Sequence, residues 1–411
     1  MSLPLFSGCD TGGYTGGVDT IEFHPGFYIY PIYSGTTGLP LSMSTIYTEL
    51  TDYPCFGGVQ LKYSWNEIEV GDGDYSGITT KILPDLVTIG ALSSGANRKR
   101  VFILFHLRSS DPVSSSAAAN VVPDWMVGHA DYAGGQWEFS NTTSTTPAAG
   151  GKMICLWNTN VQTRLAACIA ALGTALRTYT TADSAAQQFN PVEGIALSES
   201  SIGGTPMASQ PANVTFPSGY TDKYYEGYYR TALALKLYMP HVVVSAFANQ
   251  SKAACAAMAG DIPFYSGATA VNGLIAEGIA LGGPNQLPDD PGLKANSFDG
   301  SGNPGAYFYY PLADGVVPRT PSWQKPDYSW TRLDTSLTPS NGTVGHVPTP
   351  DEMYQYAKTN LSATHVFPTR TNVSTYWTDF KNYLTSSGVR YIVSGGLDTT
   401  RPSAYPVVNT D

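Results

Sequence analysis

Glu199 closes the run Gly194-Ile195-Ala196-Leu197-Ser198-Glu199, an apolar stretch that ends abruptly in a single acid. Alternation along a buried strand carries such a residue to the strand's open end, where burial raises a carboxyl pKa and keeps a proton near neutrality. A carboxylic acid held there can protonate a leaving oxygen, and glycosidic cleavage needs a second carboxylate to attack the sugar or activate water. The loop Gly282 to Gly292 supplies Asp289 and Asp290 between prolines. Either can act as base, although paired Asp in that setting is also ordinary turn chemistry. Asp327 and Glu67 are further options, with Glu67 and Glu69 reading better as structural residues of a loop. The plain alternative for Glu199 is an ion pair with Arg108 or Arg370.

Other side chains fit the same chemistry. His106 and His365 can donate hydrogen bonds to hydroxyls or orient a carboxylate, and each can equally be a satisfied core histidine. Arg108, Ser198 and Asn249 stand at or near the ends of apolar runs as polar partners for a ligand. A sugar ring offers an apolar C–H face, which flat aromatic side chains cover. Tyr33, Trp125, Trp137, Trp323 and Trp330 are the candidates for that role, whereas Trp65 and Trp157 read as core. His106, His365 and Glu199 have no metal-ligand spacing, so no metal site and no cofactor are expected. Gly-x-Ser-x-Gly is absent, and a serine nucleophile is not indicated.

These residues must be positioned by elements, and the sequence repeats one unit: a short apolar, β-branched or aromatic run, a loop, then a helical pattern. Eight runs can be marked: Gly26 to Tyr33, Gly58 to Trp65, Val101 to Arg108, Gly194 to Glu199, His241 to Asn249, Gly278 to Asn285, Ala363 to Thr369 and Val389 to Gly395. Helices are expected at Ile82 to Leu92, Asn160 to Tyr179, Thr221 to Tyr238, Ser251 to Gly260, Pro350 to Asn360 and Ser374 to Ser386. Such alternation implies parallel strands covered by helices. The first run is followed by Ser34-Gly35-Thr36-Thr37-Gly38, which is no phosphate-binding glycine turn. Eight units without that turn favour an α/β fold of the (β/α)8 barrel type, one domain over residues 1–411 with its core at about 24–397. Long insertions near 109–152, 200–220 and 286–349 then fall on the face where strands end, the face that carries barrel active sites.

The remaining composition narrows the partners. Charged residues make up 13% of the 411, and the formal net charge is -10. No basic run exceeds Arg98-Lys99-Arg100, so nucleic acid is not an expected partner, and a neutral or polyhydroxylated ligand fits better. Cys9, Cys55, Cys155, Cys168 and Cys255 show no metal spacing and allow at most two disulfides. No stretch approaches the ~18 apolar residues of a membrane span, and Met1 to Gly17 does not read as a signal peptide. The chain reads as soluble, a setting that an extracellular or virion-associated protein would share. Sequons at Asn141, Asn213, Asn249, Asn341, Asn360 and Asn372 matter only in a eukaryotic secretory pathway.

The second unit, Val59-Gln60-Leu61-Lys62-Tyr63-Ser64-Trp65-Asn66-Glu67-Ile68-Glu69 followed by Gly71-Asp72-Gly73-Asp74-Tyr75, resembles a segment of the barrel glycoside hydrolases of the β-galactosidase and cellulase superfamily. That resemblance implies a carbohydrate substrate and an acid/base Glu ending strand four, which Glu199 matches. The family's Asn before that Glu is Ser198 here. Its strand-seven nucleophile has no counterpart in Ala363 to Arg370, so retaining and inverting courses both stay open. A non-catalytic glycan-binding barrel, such as a surface or virion adhesin, is the alternative. Nothing in the chain specifies its oligomeric state.

Overall fold

The apolar runs pair edge to edge into a ring. The computed structural model describes residues 20–31, 42–109, 120–141, 150–184, 187–198, 204–247, 272–283, 315–323, 348–370 and 375–410. Strands β1 (Gly26–Pro31), β2 (Phe56–Ser64), β3 (Arg100–His106), β4 (Val192–Leu197), β5 (Val243–Phe247), β6 (Ala280–Gly283), β7 (Arg319–Trp323) and β8 (His365–Arg370) form a closed barrel. Every neighbouring pair is parallel, including β8 with β1. This is the (β/α)8 barrel that the strand and helix alternation predicts.

Where both faces of a strand are covered, as in Val101 to Phe105 of β3, the run is apolar throughout instead of alternating with polar residues. On β3, Val101, Ile103 and Phe105 join the layer under the helices, while Phe102 and Leu104 join a second cluster inside the ring. Inside, large residues are set against small ones. A Cβ at Gly194 would come within 2.5 Å of the Phe102 ring, and one at Gly282 within 1.9 Å of the Phe247 ring. Phe102 and Phe247 therefore fill space that glycines on β4 and β6 leave open.

Among the described residues the α-helices longer than four residues are α1 (Met43–Asp52), α2 (Leu83–Gly90), α3 (Thr159–Arg177), α4 (Tyr220–Tyr238), α5 (Asn272–Ala276), α6 (Pro350–Gln355) and α7 (Thr375–Ser386). Helix α3 buries Val161, Leu165, Ile169, Leu172 and Leu176, the three- and four-residue spacing of one helical face. Its cap is Asn158, whose side chain accepts from the N–H groups of Asn160 and Val161. Helix α6 opens on a reciprocal capping box between Thr349 and Glu352. Helix α4 starts at a left-handed Gly219, φ 67°, with no side-chain cap bond.

The structure corrects three expectations about elements. Val389 to Gly395 is not a strand: Gly388 sits at φ 79° and Val389–Tyr391 forms a 3-10 turn. The missing strand is β7, which lies inside the segment 286–349 expected to be an insertion. Ala363 to Thr369 is consequently the eighth strand in order and not the seventh. The helix expected at Ser251 to Gly260 falls outside the described residues.

The other two insertions do build structure of their own. Arg108–Ser109, directly after β3, begins a four-stranded antiparallel sheet with Gly150–Ile154, Gln136–Asn141 and Gly204–Pro206. It rises from the C-terminal end of the barrel, so both insertions decorate that end.

Candidate active site at the barrel mouth

The C-terminal ends of the strands define the mouth, and the pairing register says which residues share a level there. Ser64 lies opposite His106, and Leu197 opposite Phe105, so Ser64, His106 and Ser198 stand side by side across β2, β3 and the end of β4. Inward parity on β2 passes through Gly58, Gln60, Lys62 and Ser64, because Val59, Leu61 and Tyr63 belong to the outer core.

Ser198 is locked in place. Its N–H donates to the Phe105 carbonyl at 3.0 Å, its hydroxyl oxygen accepts from the Leu107 N–H at 3.1 Å, and its carbonyl accepts from the Tyr228 hydroxyl at 3.0 Å. These bonds tie the ends of β3, β4 and α4 together. The chain leaves this anchor into Glu199, the next residue in sequence, which lies outside the described residues.

His106 is held neutral. Burial, followed by the charges of Lys62 and Arg108, pushes its pKa well below the usual histidine value. A neutral imidazole offers one donor and one acceptor nitrogen, the set that a sugar hydroxyl can use from both sides. Arg108 sits with its guanidinium 5.1 Å from the Phe139 ring centroid. Lys62, on the inward face of β2, is exposed and makes no hydrogen bond or ion pair among the described residues. It was not among the residues singled out from sequence, since a lone Lys within an apolar run looks like a solvent-facing position. Only the register shows that it faces the mouth.

Several expected site residues lie elsewhere. His365, a candidate for binding hydroxyls or for a satisfied core histidine, is the first residue of β8 and sits at the end of the barrel opposite the mouth. There its Nε2 bonds Glu193 Oε1 at 2.8 Å and its Nδ1 the Thr364 hydroxyl at 2.9 Å. Trp323 points outward from β7 and packs edge-on to Phe27 and against Phe380, which makes it core. Trp137 is fully buried among Phe139, Trp157, Phe216 and Tyr220 inside the antiparallel insertion. Packing of the insertion is the work these contacts give it, not lining a cleft. Trp125 is half-buried on the same insertion, with the Arg164 guanidinium 5.2 Å from its ring centroid. Tyr33, Asn249, Asp289, Asp290, Asp327 and Trp330 lie outside the described residues.

Glu67 and Glu69 serve structure, as read from the sequence. Glu67 accepts from the Ser64 N–H at 2.9 Å in a capping box. Glu69 is buried, accepts from Trp65 Nε1 at 2.7 Å and pairs with Arg164.

A second polar centre, missed from sequence, occupies the N-terminal end of the barrel. One extra residue in β4 between Val192 and Gly194 breaks the register with β3, and that residue is Glu193. The bulge turns its carboxylate inward, where Oε1 also accepts from the His24 N–H at 2.6 Å and Oε2 meets His24 Nδ1 at 2.8 Å. Burial alone would raise this carboxyl, but the charge and hydrogen bonds of His24, with those of His365, outweigh it and hold the pKa well below the usual value. Nearby, a cavity of ≈ 670 Å³ is lined by His24, Arg98, Arg100, Ile392 and Val393. The signal that could have revealed Glu193 is an acid inside an otherwise apolar strand. Among the described residues no cluster of His, Cys, Asp and Glu could hold a metal ion, and no helix is long and apolar enough to cross a membrane.

No family model matches the chain, and no curated protein matches it. Among solved structures, it is similar to endo-glycoceramidase II from Rhodococcus sp., with 14% identity, 87% of this chain and 76% of that chain covered, and a TM-score of 0.45. The catalytic domain of beta-amylase from Paenibacillus polymyxa gives 9% identity, 90% and 99% coverage, and a TM-score of 0.46. A family 39 glycoside hydrolase from Bacteroides cellulosilyticus gives 11%, 93% and 66%, and 0.40. The barrel assignment rests on the strand pairing itself, not on these likenesses.

Proposed function

We propose that the chain is a glycoside hydrolase acting on an oligo- or polysaccharide, with Glu199 as the proton donor. The observation that carries this reading is the anchoring of Ser198: three main-chain and side-chain bonds fix the end of β4 at the mouth, immediately before an acid in sequence. In barrel enzymes the residues at strand C-termini do the chemistry. His106, neutral and one register step from Ser198, would then bind hydroxyls of the sugar at the cleavage point.

The second carboxylate comes from the segments after β6 or β7. Asp289 and Asp290 follow β6. Because β7 ends at Trp323, the position that related barrels give to a nucleophile falls in the residues just beyond it, where Asp327 is the first acid. The absence of an acid in Ala363 to Arg370 therefore no longer counts against hydrolysis, since that segment is β8.

The test is a reducing-sugar screen over a polysaccharide panel with the native chain and with Glu199→Gln, Asp289→Asn, Asp290→Asn and Asp327→Asn. Glu199→Gln is expected to lose at least 100-fold in kcat/KM, the lower range of general acid catalysis. One of the three Asp variants is expected to lose as much. Native activity that survives Glu199→Gln would remove the assignment, and binding without cleavage by the native chain would leave a glycan-recognition barrel.

A further inference from the structure

We infer that the cavity at the N-terminal end of the barrel is a second ligand site, and that it takes an apolar anion of small-molecule size. It stands apart from the sugar chemistry of the mouth and does not depend on it.

The case begins with space and place. The cavity measures ≈ 670 Å³, inside the range of roughly 300–1,000 Å³ that small-molecule sites occupy. Its walls include His24 just before β1, Gly57 at the start of β2, Ala96 and Arg98 just before β3, and Ile392 and Val393 from the turn after α7. In a ring of parallel strands these starts gather at the end opposite the mouth.

Two wall residues are cations fixed in place. Arg98 Nε donates to Asp183 at 3.2 Å, and Arg100 Nη1 donates to Glu22 at 3.1 Å and to the Asn190 carbonyl at 2.7 Å. Both guanidinium groups lie against one ring, 5.0 and 5.2 Å from the Phe189 centroid. A guanidinium already ordered in this way loses little freedom when an anion arrives, and its planar fork matches the oxygens of a carboxylate or sulfonate. His24 adds a polar ring to the same wall. Its Nδ1 is turned to Glu193 at 2.8 Å, while its Nε2 is buried with no hydrogen-bond partner. Folded proteins rarely leave such an atom unmet, and a polar atom of a ligand against the ring can meet it.

The opposite requirement, an apolar body, comes from the turn after α7. Ile392 and Val393 are 46% and 41% exposed. Their backbone is nonetheless tied down, with the Ile392 N–H donating to the Val389 carbonyl at 3.0 Å and the Gly395 N–H to the Ile392 carbonyl at 2.7 Å. Two branched side chains held out beside a cavity present apolar surface that a bound molecule would take out of water. One chemistry satisfies both walls: an apolar body against Ile392 and Val393, and a carboxylate or sulfonate at Arg98, Arg100 and His24.

The test is a fluorescence titration with two dyes that share a ring system, the anionic anilinonaphthalenesulfonate and the neutral phenylnaphthylamine. They are added to the native chain and to Ala96→Trp, which fills the cavity from an exposed turn. Val393→Glu and Val393→Gln differ only in a charge on the wall, and Val87→Glu is an exposed control on α2. The native chain is expected to bind the anionic dye at one saturable site, about 10-fold or more tighter than the neutral dye. Val393→Glu should weaken the anionic dye about 10-fold relative to Val393→Gln, because like charges brought together in a site repel. The neutral dye should not distinguish those two variants. Ala96→Trp should abolish binding of both dyes, and Val87→Glu should change neither. Thermal midpoints are read alongside. Since Val393 is exposed, its Glu and Gln variants decide the matter even if Ala96→Trp does not fold. Absence of saturable binding of the anionic dye, equal affinity for the two dyes, equal values for Val393→Glu and Val393→Gln, or binding that survives in a folded Ala96→Trp chain would each overturn the inference.

Discussion

Glu193 is a charged residue on the inner surface of the ring, and its surroundings explain why it holds the fold together. Glu193 is fully buried and its two oxygens are used by His24 and His365. Removing one side of such a network leaves the other buried without a partner. Glu193→Ala is expected to cost about 3–5 kcal/mol, read from the urea midpoint. The carboxyl is depressed in the folded chain, so there it binds fewer protons than an unfolded glutamate, whose pKa is about 4.3. Its contribution is complete above that value and disappears as pH falls toward the folded-state value. Glu193→Gln should therefore start less stable at neutral pH and lose less on acidification. Parallel acid limbs for the native and Gln chains would contradict this. Lys99 titrates in a different range. Burial lowers it to about 8, with its ammonium donating to the Phe56 carbonyl at 2.7 Å. A depressed lysine favours the folded state increasingly as pH rises from about 8 toward the unfolded value of about 10.4. Lys99→Met should remove that rise, visible as a flatter stability curve over the same window.

At the scale of elements, the pairing of large with small residues inside the ring makes its own prediction. Gly282→Ala puts a methyl into the Phe247 ring. Overpacking of that kind costs about 1–3 kcal/mol, and Gly282→Ala combined with Phe247→Leu should recover part of it, as a thermal melt would show. Seven of the eight strands were legible because two covered faces write a continuous apolar run, and strand ends such as His106 and Ser198 were legible with them. β7 was not. Arg319-Thr320-Pro321-Ser322-Trp323 has one large apolar side chain, and its inward Thr320 carries a small hydroxyl bonded to Ser245 at 2.6 Å. The barrel there is closed by neighbours on both sides, not by the strand's own hydrophobicity. Val389 to Gly395 made the opposite error: its β-branched residues look like a strand, but Gly388 turns the chain and Tyr391, Ile392 and Val393 end up exposed. Missing one strand and adding another shifted the numbering by one, and that shift hid the place where a second carboxylate would be sought. His365 failed for a related reason. A histidine within a short run can belong to its start or its end, and only the register decides which end of the barrel it faces.

For the whole molecule, the two ends of the ring divide the labour. The floor is sealed by chain segments far apart in sequence: Ile21–Glu22 pairs with Val408–Asn409, and Tyr405, fully buried, packs edge-on to Phe23 beneath the interior cluster. The antiparallel insertion rises from the mouth, where Ser64, His106 and Ser198 stand side by side. In barrels the first end reads as stability and the second as function. The two should therefore respond to mutation in opposite ways. Tyr405→Ala removes a large buried ring from the floor and is expected to cost about 3–5 kcal/mol. Because closure leaves no edge from which strands could peel away singly, far-UV circular dichroism and tryptophan fluorescence should shift to lower denaturant together. At a temperature where the variant is still folded, its activity on glycan should equal that of the native chain, whereas Glu199→Gln should leave the midpoint in place and lose the activity. If Tyr405→Ala lowered activity as much as Glu199→Gln does, the floor and the mouth would be energetically coupled, and the separation argued from their distinct residues would not hold.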